Sequence, residues 1–454
     1  MATRNAKAAW PKDFVWGVST AAFQVEGASR VDGRGQSIWD FRCTQPGKVA
    51  DAKTGEVACD HYHRYEEDVA LIKGLGVDAY RFSIAWPRVL PQGRGRVNEA
   101  GLDFYERLVD KLLENGIQPW ACLYHWDLPQ ALENLGGWTA RDSAGWYADY
   151  AALVARRLGD RVKHWATFNE FSVFTLFGYA MDWCAPGLMD RTANLRAIHH
   201  LNLAHGCGVD VLRDLVPDAF IGAIHNRQVV RPSTASEADR EAAAMLDAHW
   251  NLAFPEPQMR ATYPALLADA IDPWVRAGDM AQISRRIDWI GLNHYGPIFA
   301  KADPSTIWGF AWGDAPPDSP VRPEIGWPIF PEAFRDELIE LTRRYKLPVY
   351  VTENGMGSRD APDEKGVVHD PRRIAYLETY TSAMHDAIAA GADVRGYFVW
   401  SLLDSFEWGS GYTNPFGIIH VDFETLKRTP KDSAGWYTRF VAAAKKAART
   451  KGAR

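Results

Sequence analysis

The chain has 454 residues, 47% of them hydrophobic and 24% charged, and its 51 Lys and Arg against 57 Asp and Glu leave a net charge of −6. That balance excludes a nucleic-acid binder, which needs a basic face to neutralise phosphates, and offers nothing to an anionic membrane surface. The longest apolar stretch, Phe171 to Met181, is 11 residues, whereas a spanning helix takes about 20, and the first nine residues lack the apolar segment of a secretory leader.

A strand-then-helix alternation recurs along the chain. Short apolar runs fall at Phe14–Ser19, Asp78–Ile84, Gln118–Tyr124, His164–Phe168, Ala219–Ile224, Ile287–Leu292, Pro348–Thr352 and Val394–Trp400. Their near-continuous apolar character suits parallel strands buried on both faces. Between them lie helical patterns. Tyr65, Val69 and Ile72 form one stripe, ended by Gly74 and Gly76, with His61 and His63 placed before a helix that begins around Tyr65. Leu102, Tyr105, Leu108, Val109, Leu112 and Leu113 form another, stopped at Gly116, which is where a helix C-terminus wants glycine.

Eight such units close as a TIM barrel or lie open as a doubly wound sheet. Each run leads into polar or aromatic residues: Gln24, Arg81, His125-Trp126, Asn169-Glu170, His225-Asn226, Asn293 with Tyr295, Glu353 and Trp400. A barrel gathers all eight strand ends around one mouth, where its active sites lie. We therefore expect a single (β/α)8 TIM-barrel catalytic domain over 1–454 with extended βα loops and frayed tails at about 1–9 and 442–454. Two connections, Lys301 to Pro331 with seven prolines and three tryptophans, and Gly357 to Pro371, are long enough to serve the mouth.

The five cysteines, Cys43, Cys59, Cys122, Cys184 and Cys207, lack CxxC spacing and read as reduced thiols of a cytoplasmic protein. Nineteen tryptophans are out of proportion; they suit either a large core or a cleft whose flat rings stack on sugars.

Two glutamates stand out. Glu170 closes Thr167-Phe168-Asn169-Glu170 after the fourth strand, and Glu353 lies in Thr352-Glu353-Asn354-Gly355 after the seventh. A carboxyl at the end of a buried strand is pre-oriented and desolvated, and glycoside hydrolysis needs two of them flanking the scissile bond.

Here the sequence resembles glycoside hydrolase family 1, the β-glucosidase family, over essentially its whole length. The matching blocks occur in the family's order: residues 14–27 (FVWGVSTAAFQVEG), Arg81-Phe82-Ser83-Ile84-Ala85-Trp86, His125-Trp126-Asp127-Leu128-Pro129, the two glutamate motifs, and Trp400-Ser401-Leu402-Leu403-Asp404 with Phe406-Glu407-Trp408. The resemblance implies a retaining β-glycosidase acting on terminal β-D-glucosyl residues of small glycosides or short oligosaccharides, with galactosides and fucosides as further substrates. It makes Glu170 the general acid/base and Glu353 the nucleophile, held by Arg81 and Tyr295, with Asn169 on the sugar 2-hydroxyl. Gln24, His125, Trp126, Asn293, Glu407 and Trp408 become hydroxyl-binding residues, Trp400 the ring platform, Phe416 a pocket lining, and Trp327 an aglycone-stacking residue. Retention requires the two carboxyl groups about 5 to 5.5 Å apart.

No metal or other cofactor is expected, because His61 and His63 have no accompanying ligand set and His199, His200 and His205 read as helix packing residues. Three departures fall near the pocket rim: Glu407-Trp408-Gly409-Ser410-Gly411-Tyr412 has Ser410 where the family often has a second acid, Asn414-Pro415 replaces a basic pair, and Asn293-His294-Tyr295 replaces Asn-Tyr-Tyr. A 6-phospho-β-glycosidase is disfavoured, since no Lys lies between Glu407 and Phe416. Two further rival readings are a transglycosidase and a catalytically silent glycoside-binding protein on the same fold.

Overall fold

The computed structural model describes residues 10–315 and 328–451, so residues 1–9 and the segment holding Trp327 lie outside it. Eight parallel strands close a barrel in chain order: β1 (Val15–Ser19), β2 (Ala79–Ser83), β3 (Gln118–Cys122), β4 (His164–Asn169), β5 (Phe220–Asn226), β6 (Trp289–Asn293), β7 (Val349–Asn354) and β8 (Val394–Trp400), the last pairing with the first. The fold is thus the expected TIM barrel, and the ends of every expected run agree with those of its strand to within two residues. Helices cover the outside, among them α1 (His61–Leu75), α2 (Glu99–Glu114), α3 (Ser143–Leu158), α4 (Arg191–Leu215), α5 (Glu237–Asp247), α6 (Pro331–Tyr345), α7 (Pro371–Ala389) and α8 (Asp432–Lys451).

Two local expectations are corrected. α1 begins at His61 and runs through Gly74 to a left-handed Gly76, so both histidines sit in its first turn, His61 with Nδ1 2.8 Å from Asp68 and His63 with Nδ1 2.6 Å from Asp60. The C-terminal stretch is not frayed from 442: α8 continues to Lys451. Phe440, Val441 and Ala444 bury its apolar stripe, and Lys445 Nζ donates to Gly76 O at 2.8 Å and pairs with Asp78.

The barrel interior has two layers. The lower is an aromatic plug of Trp120, Trp289, Tyr350 and Phe398, with the Trp120 ring 4.9 to 5.3 Å from the other three. Glycines make room for it: a Cβ on Gly222 would lie 2.3 Å from the Trp289 ring and one on Gly396 2.6 Å from Tyr350. Two residues further along the strands, where side chains point inward again, the layer changes to Arg81 and Trp400.

Two strands break that alternation. On β4, Ala166 pairs with Gly222 and Asn169 with Ile224, three steps against two. On β7, Val351 pairs with Leu292 and Glu353 with Asn293, two steps against one. Each is one extra residue in the strand, a bulge that re-aims the side chains beyond it. Tyr350 in the plug would otherwise send Glu353 outward; the bulge turns it in.

Loops build the mouth. Val230–Pro232, Ile298–Ala302 and Phe310–Trp312 form a three-stranded sheet over one side. Trp308 is structural, buried with Nε1 donating to Asn194 Oδ1 at 3.1 Å. Among the described residues no helix is long and apolar enough to cross a membrane, and all five cysteines are free thiols.

Candidate active site

A cavity of about 380 Å³ opens at the C-terminal ends of the strands, lined by both Glu170 and Glu353; ligand sites of this kind span about 300 to 1,000 Å³. Glu353 is buried and clamped on both oxygens. Arg81 Nη1 donates to Oε1 at 2.6 Å and Tyr295 Oη to Oε2 at 2.7 Å. Burial pushes its carboxyl up, and the Arg81 charge with the two donors pulls against that. The guanidinium, itself buried, stays charged because Glu353 faces it.

Among the described residues Glu170 has no cation in contact. Its Oε1 accepts from Asn226 Nδ2 and Asn293 Nδ2, each at 2.8 Å. Burial, then the negative charge of Glu353, raises its pKa to about 8. Two carboxyl groups in one cavity therefore have environments that push their protonation apart, the pattern that separates an acid from an ionised partner. As a coupled pair they lose protons in two steps, and Arg81 makes Glu353 the one that ionises first.

A polar network fixes both. Asn169 Oδ1 accepts from Arg81 Nη2 at 2.6 Å and Asn293 Nδ2 at 2.9 Å, which turns its amide nitrogen toward His125 Nε2 at 3.0 Å. Thr352 Oγ1 donates to Asn293 Oδ1 at 2.7 Å. Asn293 does not line the cavity; it braces Glu170 and Asn169, its Nδ2 donating to both.

Since His125 Nε2 accepts from Asn169, the imidazole proton is on Nδ1, a buried donor without a partner among the described residues. Burial and the nearby Arg81 push its pKa well down, so the ring is neutral. Gln24 Nε2 donates to Glu407 Oε2 at 3.0 Å and Phe406 O at 2.7 Å, while its Oε1 is buried with no partner among the described residues. Glu407 is pushed well up by burial and by Glu353. Unmet donors and acceptors of this kind suit an uncharged, hydroxyl-rich ligand.

Aromatic rings frame the pocket. Trp408 lies 4.6 Å from Trp126 and stacks on Phe23 at 5.8 Å, Trp400 stacks against His125 at 5.9 Å, and Phe416 packs beside Tyr295 at 6.0 Å. Trp126, Glu170 and Trp408 all hold left-handed backbone, with φ of 79°, 55° and 50°. Non-glycine residues avoid this region, and such strain gathers at functional sites.

Of the residues singled out in the sequence, all but one converge here, and Trp327 falls outside the described residues. Of the three departures, Ser410 and Asn414 do line the cavity, but His294 is not at the rim: it is buried, with Nδ1 2.8 Å from Arg227 O and its ring against Phe334. Sequence reasoning gave Asn226 no role, although it holds Glu170, and it missed Gln228, whose Nε2 donates to Asn226 Oδ1 at 2.7 Å. The strand-end position of Asn226 was the available signal; Gln228 had none. Among the described residues no cluster of three or more His, Cys, Asp or Glu could hold a metal ion, and no Lys or Arg lines the cavity.

A TIM barrel that buries two differently held carboxyl groups among sugar-sized polar and aromatic contacts is that of a glycosidase. The chain belongs to glycosyl hydrolase family 1, whose model matches residues 6–446, and it is an enzyme of the β-glucosidase type. It is 43% identical to β-glucosidase A of Acetivibrio thermocellus, over 95% of this chain and 98% of that one. The structure is similar to that of a psychrophilic β-glucosidase from Micrococcus antarcticus (TM-score 0.93, 44% identity, 98% and 100% of the two chains). It is also similar to a Thermotoga maritima β-glucosidase in complex with glucoimidazole (TM-score 0.91, 43% identity, 96% and 99%).

Proposed function

We propose that the protein, acting as one catalytic domain without metal or cofactor, releases terminal β-D-glucose from small glycosides with retention of configuration. The observation that carries this is the asymmetric holding of the two carboxyl groups: Arg81 and Tyr295 on Glu353, two neutral amides on Glu170.

The glycone occupies the inner cavity. His125 Nδ1 donates to a hydroxyl, Gln24 Oε1 accepts from one, Glu407 and Trp408 hold the far edge, and Trp400 supports the ring. Glu353 attacks C1 while Glu170 gives its proton to the departing oxygen. As the ring flattens toward an oxocarbenium ion, the second amide hydrogen of Asn169 strengthens its bond to the 2-hydroxyl. Glu170, now a carboxylate, takes a proton from water, which attacks C1 and frees Glu353. The unbroken chain of hydrogen bonds Glu353–Arg81–Asn169–Asn293–Glu170 supports the two carboxyl groups acting on one substrate. The neutral donors and the absence of a cation on the described cavity wall favour free over 6-phosphorylated sugars.

Proton NMR of the first products from p-nitrophenyl β-D-glucoside tests this. β-Glucose appearing before mutarotation is expected; α-glucose as the first product would reject retention, and no release from any glucoside would reject the activity.

A further inference from the structure

The two amides that donate to Glu170 are themselves held in different ways. Asn293 must present its nitrogen, because the Asn169 oxygen it meets already takes the donor-only Arg81 guanidinium. Asn226, the last residue of β5, depends instead on a second amide, Gln228, two residues further along. The double displacement itself gives Gln228 no task.

An amide can turn over and exchange its oxygen for its nitrogen, and neighbours that only donate forbid it. Both ends of this pair have such neighbours. Trp250 Nε1 donates to Asn226 Oδ1 at 3.2 Å. The backbone N–H groups of Gly296 and Tyr295 donate to Gln228 Oε1 at 2.9 and 3.4 Å. Gln228 Nε2 then closes the chain on Asn226 Oδ1 at 2.7 Å. With its oxygen taken twice, Asn226 offers only Nδ2, which goes to Glu170 Oε1. Gln228 is anchored in turn: its N–H donates to Asn251 Oδ1 at 3.2 Å, and Asn251 Nδ2 to its carbonyl at 2.7 Å. Trp250 and Asn251 are neighbours in the π-helical turn Ala248–Leu252, a rare geometry that concentrates at functional sites. That turn sets one residue on each of the two amides.

The consequence falls on the oxygens of Glu170. Oε1 receives two N–H groups, while Oε2 has no hydrogen-bond partner among the described residues. An oxygen that accepts twice is the carbonyl oxygen of the protonated acid, so the proton belongs on the other. Were Asn226 to turn over, its oxygen would face Oε1, and a proton drawn to Oε1 would relieve the repulsion.

Resting on the glucosidase reading, we propose that Gln228 is a positioning residue for the acid: by locking Asn226 it keeps Oε1 an acceptor and the transferable proton on Oε2. That proton passes from Oε2 to the glycosidic oxygen as the bond to C1 breaks with its electron pair on that oxygen, and water returns a proton to Oε2 in the second step. Gln228 acts through Asn226 rather than on the reacting atoms. Its other end rests on the backbone of Tyr295, whose hydroxyl holds Glu353, so one side chain keeps the acid arm in register with the nucleophile arm.

Comparison of kcat/KM for methyl β-D-glucoside and 2,4-dinitrophenyl β-D-glucoside isolates this role, because only the first leaving group needs the acid's proton. Gln228→Leu is expected to lower the methyl value by about tenfold, the scale of one buried hydrogen bond, and the dinitrophenyl value far less. Equal losses would mark a merely structural residue, a larger loss on the dinitrophenyl glucoside an aglycone contact, and no loss a spectator; each overturns the proposal. Should Gln228→Leu not fold, Trp250→Phe decides, since it takes the indole N–H from Asn226 and keeps a ring in place. The same selective loss on the methyl glucoside is expected, and any other pattern overturns the proposal. A parent enzyme that cleaves neither glucoside rejects the underlying activity instead.

Discussion

The two layers inside the barrel share the same strands but obey opposite rules. Trp120, Trp289, Tyr350 and Phe398 fill the lower layer with interlocked rings and need no polar partner inside it. One turn of the pleat higher, Arg81, Asn169, Asn293 and Glu353 are just as buried, and each is held by hydrogen bonds to the others or to neighbouring side chains. Taking even a paired charge out of water costs several kcal/mol in lost solvation, so the upper layer is expensive in stability, and the plug below is what closes the barrel around it. The lesson is a division of labour along each strand: packing at the bottom holds the strands in register, and that register lets the top keep carboxyl groups desolvated and strained residues in place.

The sharpest way to break the upper layer is Glu353→Gln. Turnover of every glucoside should cease while the far-ultraviolet circular dichroism is preserved, and residual hydrolysis close to the parent's would reject Glu353 as nucleophile. Glu170→Gln comes next. It should lower hydrolysis of alkyl glucosides by about 10²–10⁴-fold, the usual worth of a positioned proton donor. Glycosylation by 2,4-dinitrophenyl glucoside, whose leaving group needs no proton, should fall far less. Equal losses on both substrates would contradict the assignment.

Breaking the lower layer should look different. Trp289→Ala leaves a cavity in the plug and should cost about 3–5 kcal/mol of stability, measured by urea unfolding, while the folded enzyme retains its pH profile. A changed profile would show that the plug tunes the chemistry as well as the fold.

The pH dependence sharpens the comparison. Glu170 must carry a proton to act as acid, so kcat/KM should decline as pH rises through about 8, and the limb should vanish in Glu170→Gln. The same shift has a sign for stability. The folded carboxyl holds its proton above the ordinary value of 4.5, so the folded state loses stability as pH rises from that value toward 8. The melting temperature of Glu170→Gln should therefore gain on the parent's between pH 5 and pH 8; a gain that shrank with pH would contradict the burial argument. The smallest effect expected is none: exhaustive EDTA treatment should leave activity intact, and reversible loss would disprove metal independence.

Much of this was legible in the chain. Near-continuous apolar runs marked the eight strands because parallel strands are buried on both faces. Polar residues at their ends marked the mouth because a barrel brings those ends together. The contacts among those residues were not legible. Arg81 and Glu353 are 272 positions apart, and nothing in local spacing tells that one guanidinium also reaches Asn169, or that Asn293 braces the site rather than lining it. Phe177 and Trp250 were harder still: both belong to helical stretches whose periodicity looks like ordinary packing, yet each sits in a π-helical turn and lines the cavity.

By itself, then, the sequence determined the repeat of strand and helix, the identity of the two glutamates and the residues about them, and the family to which they belong, since these depend on local pattern and residue type. Tertiary structure alone decided where those side chains point. The strand period of two would turn Glu353 outward from a strand that already commits Tyr350 to the plug, and pairing with β6 inserts the one extra residue that brings it in. A bulge is a property of two strands in register, set by how the barrel closes, and a single strand read alone does not contain it.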